Sequence, residues 1–139
     1  MGYIYIIRNK INNKRYIGQT IQEPALTRVT QHFTEAYDTN DKNYNLCLCR
    51  SIRKYGKDAF DWALLAKDID NSQLDILEEY FIDLYNTIVP NGYNMTAGGS
   101  YQVNQEIYDM IPDEDYSENS KVVLDDITDA DIDAFLKEL

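Results

Sequence analysis

The first twenty residues constrain the fold most. Tyr3-Ile4-Tyr5-Ile6-Ile7-Arg8 is a β-branched and aromatic run, and such side chains fit a pleated, packed surface. Asn9 to Lys14 is polar and rich in asparagine, as turns are, and Arg15-Tyr16-Ile17-Gly18-Gln19-Thr20 reads as the strand that returns from it. Ile4, Tyr5, Ile6 and Ile7 do not alternate with polar residues. A strand with one wet face alternates, whereas an unbroken run of large residues is the pattern of a strand buried on both faces.

The rest of the body supplies three helical patterns and one more strand. Pro24 fits a first helical turn, where a missing N–H costs nothing. Leu26, Val29, Phe33 and Tyr37 then recur at helical spacing, with Arg28 and His32 sharing another face. Residues 46–57 form a second helix with Leu48, Ile52 and Tyr55 on one side. Its other side carries Arg50, Arg53, Lys54 and Lys57, and Gly56 ends it. Phe60 to Leu65 reads as a strand with Trp62 and Leu64 on one face. Asn71 or Ser72 caps a third helix running to about Tyr85, whose stripe is Leu74, Leu77, Phe81 and Leu84. Glu78 and Glu79 follow Leu77, so at least one of them borders that stripe. Pro90-Asn91-Gly92-Tyr93-Asn94 is rich in turn residues. The order β-β-α-α-β-α gives an α/β (α+β) class: a small three-stranded, mainly antiparallel sheet flanked by three helices.

Charge marks where that body stops. Residues 1–100 hold 11 Lys and Arg against 12 Asp and Glu, a net of −1, while residues 101–139 hold 2 against 12, a net of −10; together these make the −11 of the chain. Averaged over the chain, −11 argues against a nucleic-acid binder, but the acidity belongs to the C-terminal extension. Ala97-Gly98-Gly99-Ser100 suits a domain end. The reading is a folded domain over 1–98 and an acidic extension over 99–139. Asp113-Glu114-Asp115 is the kind of run that is disordered and solvated, and Thr128 caps a helix over 128–139 with Ile132, Phe135, Leu136 and Leu139 on its apolar side. The extension has three readings: a solvated tail, an acidic mimic lying on the basic helix face, or a helix docking onto a protein partner.

Other chemistries are thinly represented. Two cysteines, Cys47 and Cys49, cannot build a disulfide framework or a four-ligand zinc site, and His32 is the single histidine. No glycine-rich phosphate loop or nucleophile elbow is present. No apolar run approaches the ~18 residues of a membrane span, and charge comes too early at the start for a signal peptide. The expectation is a soluble, intracellular protein, cytoplasmic or, in a eukaryotic host, nuclear.

Tyr3-Ile4-Tyr5 and Tyr16-Ile17-Gly18 stand on the two hairpin strands with Tyr5 and Tyr16 eleven residues apart. Arg28 follows twelve residues after Tyr16, with His32 one turn later. Glu78 lies in Leu-Glu-Glu-Tyr-Phe-Ile, Asn94 in Asn-Gly-Tyr-Asn, and Ser51-Ile52-Arg53-Lys54-Tyr55-Gly56 follows the second-helix pattern. In register over about residues 2–98, these resemble the GIY-YIG nuclease domain. The first motif departs from the family in having Tyr3 where its leading glycine stands, with Gly2 one position early. Gln19 and Thr27 occupy positions where some members carry lysine.

The resemblance implies a metal-dependent endonuclease that hydrolyses DNA phosphodiester bonds. In that reaction water attacks phosphorus in line and negative charge grows on the non-bridging and leaving oxygens. Glu78 is then the metal ligand for Mg²⁺ or Mn²⁺, which favour carboxylate and water oxygens. Arg28 can fork two hydrogen bonds onto a phosphate. Tyr5 serves as base and Tyr16 orients phosphate or water, although a phenol of pKa ~10 needs help to act at neutral pH. His32 is a proton relay or phosphate contact, and Asn94 fixes local geometry through its amide. Arg50, Arg53, Lys54 and Lys57 are candidates for phosphate contacts.

Plainer roles compete at each position. Glu78 could be a solvated helix carboxylate, Arg28 a surface partner of Glu35 or Glu23, His32 an ordinary helix histidine, Asn94 a turn residue, and the basic row a solvated face. The asparagine, isoleucine, lysine and tyrosine content suits an AT-rich genome such as that of a phage, another virus or a mobile element. The alternative reading is a catalytically silent protein of the same fold, acting by binding or inhibition with its acidic tail as a DNA mimic; a non-nuclease interaction protein is a third.

Overall fold

The structure, a computed structural model, describes residues 1–96. The acidic extension and the helix expected over 128–139 lie outside the described residues. Strands β1 (Gly2–Asn9) and β2 (Arg15–Thr20) form the expected hairpin, with Tyr5 opposite Gly18 and Ile7 opposite Tyr16. Strand β3 (Phe60–Ile69) pairs antiparallel with the other side of β1, so the sheet order is β2-β1-β3 and β1 is central. Three helices, α1 (Leu26–Glu35), α2 (Cys47–Tyr55) and α3 (Leu74–Tyr85), complete the body.

The unbroken run in β1 is explained by two apolar layers. Ile4 and Ile6 join Ile17, Leu65, Leu77 and Phe81 on the α3 face of the sheet. Tyr5 and Ile7 join Val29, Leu48, Cys49 and Ile52 on the face covered by α1 and α2. Four consecutive large residues are therefore buried on alternating sides of one central strand.

Several element details differ from the sequence expectation, each for a packing reason. Strand β3 runs to Ile69 rather than Leu65, because register shifts opposite Gly2 to Tyr5 let Leu65, Ala66 and Ile69 all turn inward. Leu64 is exposed, while Trp62 is half-buried against the α1/α2 layer. Helix α1 buries Val29 and His32, and the expected Leu26 and Tyr37 are exposed. Of the expected stripe, Val29 is buried and Phe33 packs against the same core, while His32 turns inward because its ring finds a partner on the sheet. In α3 the inward positions are Leu74, Leu77, Glu78, Phe81, Ile82 and Tyr85. They follow the i, i+3, i+4, i+7, i+8 progression, which leaves Leu84 outside. A 3₁₀ turn, Asn71–Gln73, precedes α3, and its cap is Asp70, whose side chain accepts the Ser72 N–H at 2.9 Å.

Helix α2 stops at Tyr55, where Gly56 takes φ +84°, a conformation that glycine enters without a Cβ penalty. Lys57 then begins a 3₁₀ turn, Lys57–Ala59, so the basic row is not one continuous helical face. After α3, the chain folds along the outer edge of β2, and Tyr93 N–H donates to the Arg15 carbonyl at 2.9 Å. The Tyr93 hydroxyl accepts from Asn9 Nδ2 at 3.1 Å and from Ser51 Oγ at 2.6 Å, which ties this segment to β1 and α2. No helix among the described residues is long and apolar enough to cross a membrane.

Candidate active site

Antiparallel pairing sends Tyr5 and Tyr16 to one face of the hairpin, because their partners Gly18 and Ile7 lie two residues from them on the opposite strands. The Tyr5 ring lies across Gly18: a Cβ at that position would come within 2.4 Å of Tyr5 Cζ and Oη. Helix α1 lays His32 over the two phenols. Tyr5 Oη is 2.6 Å from His32 Nε2, in a buried contact. The Tyr5 and Tyr16 ring centroids are 6.3 Å apart, and Tyr16 meets the His32 ring edge-on at 5.1 Å.

Burial sets the protonation states. His32 is 1% exposed. That burial, and secondly the charge of Arg28, holds its pKa down at about 3, so the ring is neutral. A neutral imidazole has one N–H and one acceptor nitrogen; the Tyr5 hydroxyl donates to Nε2 when the ring hydrogen is on Nδ1 and accepts from it when the hydrogen is on Nε2. Burial pushes Tyr5 well above the ordinary phenol value, reinforced by Tyr16, and Arg28 opposes without prevailing. Tyr16 is raised by burial and then by Glu78, again against Arg28. Both phenols are therefore protonated at neutral pH.

Arg28 is half-buried, and its Nη1 donates to Glu35 Oε1 at 2.8 Å and to Gln31 Oε1 at 3.3 Å. Burial pulls its pKa down, but the Glu35 hydrogen bond and the nearby Tyr5 outweigh that and leave it raised. The ion pair with Glu35 left open by the sequence is thus present, while the guanidinium still acts on both phenols and on His32. Glu35 also accepts from Asn43 Nδ2 at 3.3 Å, and its Oε2 stands 3.8 Å from His32 Nδ1.

Glu78 is 7% exposed on the inner side of α3, whereas Glu79 points to solvent. Its charge acts on both Tyr5 and Tyr16. Among the described residues no group of three His, Cys, Asp or Glu side chains could hold a metal ion. A single carboxylate is enough for a magnesium-type ion, which keeps several of its waters. Asn94 sits on the outer edge of β2. Its Oδ1 accepts from Ile17 N–H and from Thr87 Oγ1, and its Nδ2 donates to the Ile17 carbonyl, each at 2.8 Å. The amide thereby stands in for a neighbouring strand, one residue from Tyr16.

The structure brings Tyr5, Tyr16, Arg28 and His32 together, with Glu78 in electrostatic reach and Asn94 behind the strand. It does not gather the basic row in the same way. Arg53 donates to the carbonyls of Ala36 at 2.8 Å and Tyr44 at 2.7 Å, with its guanidinium 3.8 Å over the Tyr44 ring. It fastens the connection between α1 and α2. Lys54 and Lys57 are exposed, and Arg50 is half-buried. Two residues contribute more than the sequence reading gave them: Gly18 entered there only within its motif and Glu35 only as a surface partner of Arg28. Gly18 was legible as the cross-strand partner of Tyr5 once the hairpin register is drawn. Glu35 is three residues after His32 and seven after Arg28, a spacing that puts all three on one helix face.

The family model of the GIY-YIG catalytic domain matches residues 1–94. Two solved structures resemble the chain. One, the catalytic domain of the intron endonuclease I-TevI in a mutant form, is 25% identical with a TM-score of 0.58, covering 71% of this chain and 98% of that one. The other, the catalytic domain of the homing endonuclease I-TevI, is 26% identical with a TM-score of 0.55, covering 69% of this chain and 99% of that one. No curated protein matches. With the family match running from the first strand through the asparagine that braces β2, the chain belongs to the GIY-YIG family of nucleases.

Proposed function

We propose that this nuclease domain hydrolyses DNA phosphodiester bonds with Mg²⁺ or Mn²⁺ held at Glu78, and that Tyr5 and His32 together remove the proton of the attacking water. The observation that carries this reading is the 2.6 Å contact between Tyr5 Oη and Nε2 of a neutral, buried His32, a nitrogen that accepts when the ring hydrogen is on Nδ1. A buried phenol is a poor base alone, since its phenolate is disfavoured. Coupled to His32, it need not become phenolate. Tyr5 takes a proton from water as its own proton passes to His32 Nε2, the water oxygen bonds to phosphorus, and the opposite P–O bond breaks. The leaving alkoxide takes its proton from solvent.

Arg28 has two parts in this scheme. Its guanidinium binds a non-bridging phosphate oxygen and stabilises the charge that grows there. Its charge is also one reason that His32 is such a weak base. A phosphate paired with Arg28 offsets that charge, so substrate binding raises His32 basicity when the proton must be received. Tyr16, edge-on to His32, orients phosphate or water. When bound, the metal ion supplies Lewis-acid polarisation of phosphate oxygens. Asn94 keeps Tyr16 in place through the β2 backbone. Arg50, Lys54 and Lys57 add phosphate contacts, and Arg53 serves mainly the fold. Free, buried Cys47 and Cys49 suit a reducing, intracellular compartment.

The test is cleavage of supercoiled, linear and branched DNA by the Tyr5→Phe protein. Removing the hydroxyl breaks the relay while keeping the ring, so cleavage should fall by about 10²- to 10³-fold with DNA affinity unchanged. If phenylalanine at both 5 and 16 leaves the rate intact, another group or bulk hydroxide takes the proton and the reading is wrong.

A further inference from the structure

We infer that Glu35 is a positioning residue that sets the tautomer of His32 and the orientation of Arg28 with one carboxylate. This deepens the relay proposed above and rests on that reading. One oxygen, Oε1, accepts from Arg28 Nη1 at 2.8 Å. The other, Oε2, lies 3.8 Å from His32 Nδ1. That nitrogen is buried and has no hydrogen-bond partner, while Nε2 on the far side of the ring is engaged by Tyr5.

A buried N–H without an acceptor costs free energy unless something nearby favours its orientation. Around the ring stand Tyr5 from β1, Tyr16 from β2, and Arg28 and Glu35 from α1, while the Cys49 thiol from α2 donates to the His32 backbone carbonyl. Arg28 is a cation and repels an N–H dipole, and Glu35 is the carboxylate on the Nδ1 side. It therefore favours hydrogen at Nδ1 and leaves the Nε2 lone pair for Tyr5. When His32 receives a proton the same carboxylate faces an imidazolium, and the 3.8 Å separation can tighten, as catalytic contacts do on passing from the free enzyme to the reacting complex. A carboxylate that fixes a histidine tautomer and steadies its cation is an established device of proton-relay sites. Asn43, donating to Oε2 at 3.3 Å, anchors the carboxylate from the α1–α2 loop.

The chain has one histidine, so its imidazole ¹⁵N signals are unambiguous. The experiment measures those signals, DNA affinity and the single-turnover cleavage rate in the full chain and in its Glu35→Gln and Glu35→Leu variants. The wild type should show the Nδ1–H tautomer. Glu35→Leu, which offers no acceptor, should shift the ring toward Nε2–H and slow cleavage about 10- to 100-fold, the usual cost of losing a carboxylate behind a functional histidine. Glu35→Gln keeps an acceptor oxygen without the charge, so it should retain Nδ1–H and slow cleavage less. Wild-type protein in the Nε2–H form, or an unchanged tautomer in the leucine variant, overturns the inference, as does wild-type cleavage by that variant. The tautomer is read without turnover. A protein that fails to cleave DNA yet shows the predicted shift removes the nuclease reading and leaves the positioning role standing.

Discussion

At the scale of single residues, His32 joins stability to chemistry. Its folded pKa of about 3 lies far below the ordinary histidine value of 6.5. As pH falls below 6.5 the unfolded chain takes up a proton that the folded chain refuses, so acid favours unfolding until pH reaches about 3. The stability contributed by the neutral ring is thus present above pH 6.5 and declines below it. Between pH 8 and pH 5 the loss should be about 2 kcal/mol. Urea unfolding at the two pH values should show His32→Gln losing about 2 kcal/mol less than wild type, and parallel losses would mean that His32 is not held neutral. The candidate site residues were legible in the sequence because their types and spacing carry the family resemblance. Their protonation states were not. Those depend on burial, and the α1 stripe of Leu26, Val29, Phe33 and Tyr37 concealed that His32 turns inward beside Val29. Glu78 and Glu79 show the same limit: adjacent carboxylates read alike, and only the packed face of α3 distinguishes them.

Among the elements, the β1–β2 hairpin shapes the site, and Gly18 is its tightest point. An alanine Cβ would meet the Tyr5 phenol at 2.4 Å, so the ring must leave its place on His32. Gly18→Ala should therefore cost about 1–3 kcal/mol of stability, the usual penalty for overpacking. It should also slow cleavage at least about tenfold if Tyr5 and His32 act together as proposed, since Tyr5 loses its contact with the ring. Denaturation and cleavage rates measured together check this, and an alanine variant equal to wild type in both would mean that the ring is not confined there. The hairpin was legible because a doubly buried strand leaves an unmistakable apolar run. The basic row on α2 was less so. Charge at helical spacing says nothing about partners, and Arg53 turned out to serve two backbone carbonyls while Gly56 took Lys57 out of the helix. The extra length of β3 was hidden because its bulge breaks the alternation that marks a strand.

For the whole molecule, a body of net −1 is joined to an extension of net −10. DNA is a polyanion, so the extension either repels it or occupies its site. Both effects weaken binding and both are screened by salt, with a Debye length of about 10 Å at 0.1 M. A chain ending at Ser100 should bind nonspecific DNA about three to thirty times more tightly at low ionic strength, equivalent to about 0.7–2 kcal/mol. Titrations at low and moderate salt would show this. Unfolding or aggregation of the shortened chain would mean that the extension covers part of the body.

That Tyr5, Tyr16, Arg28, His32 and Glu78 make up a metal-assisted phosphodiesterase site is tested most directly at Glu78. Cleavage of supercoiled DNA should be measured in Mg²⁺ and in EDTA for wild type, Glu78→Gln and Glu79→Gln. The wild type should cleave in Mg²⁺ alone. Glu78→Gln should lose at least ~10³-fold, about 4 kcal/mol of barrier, with fold and DNA binding retained, and Glu79→Gln should stay near wild type. Equal cleavage by Glu78→Gln and wild type, or no cleavage by the wild type on any DNA, would contradict the account, the second outcome favouring a protein that binds without cutting.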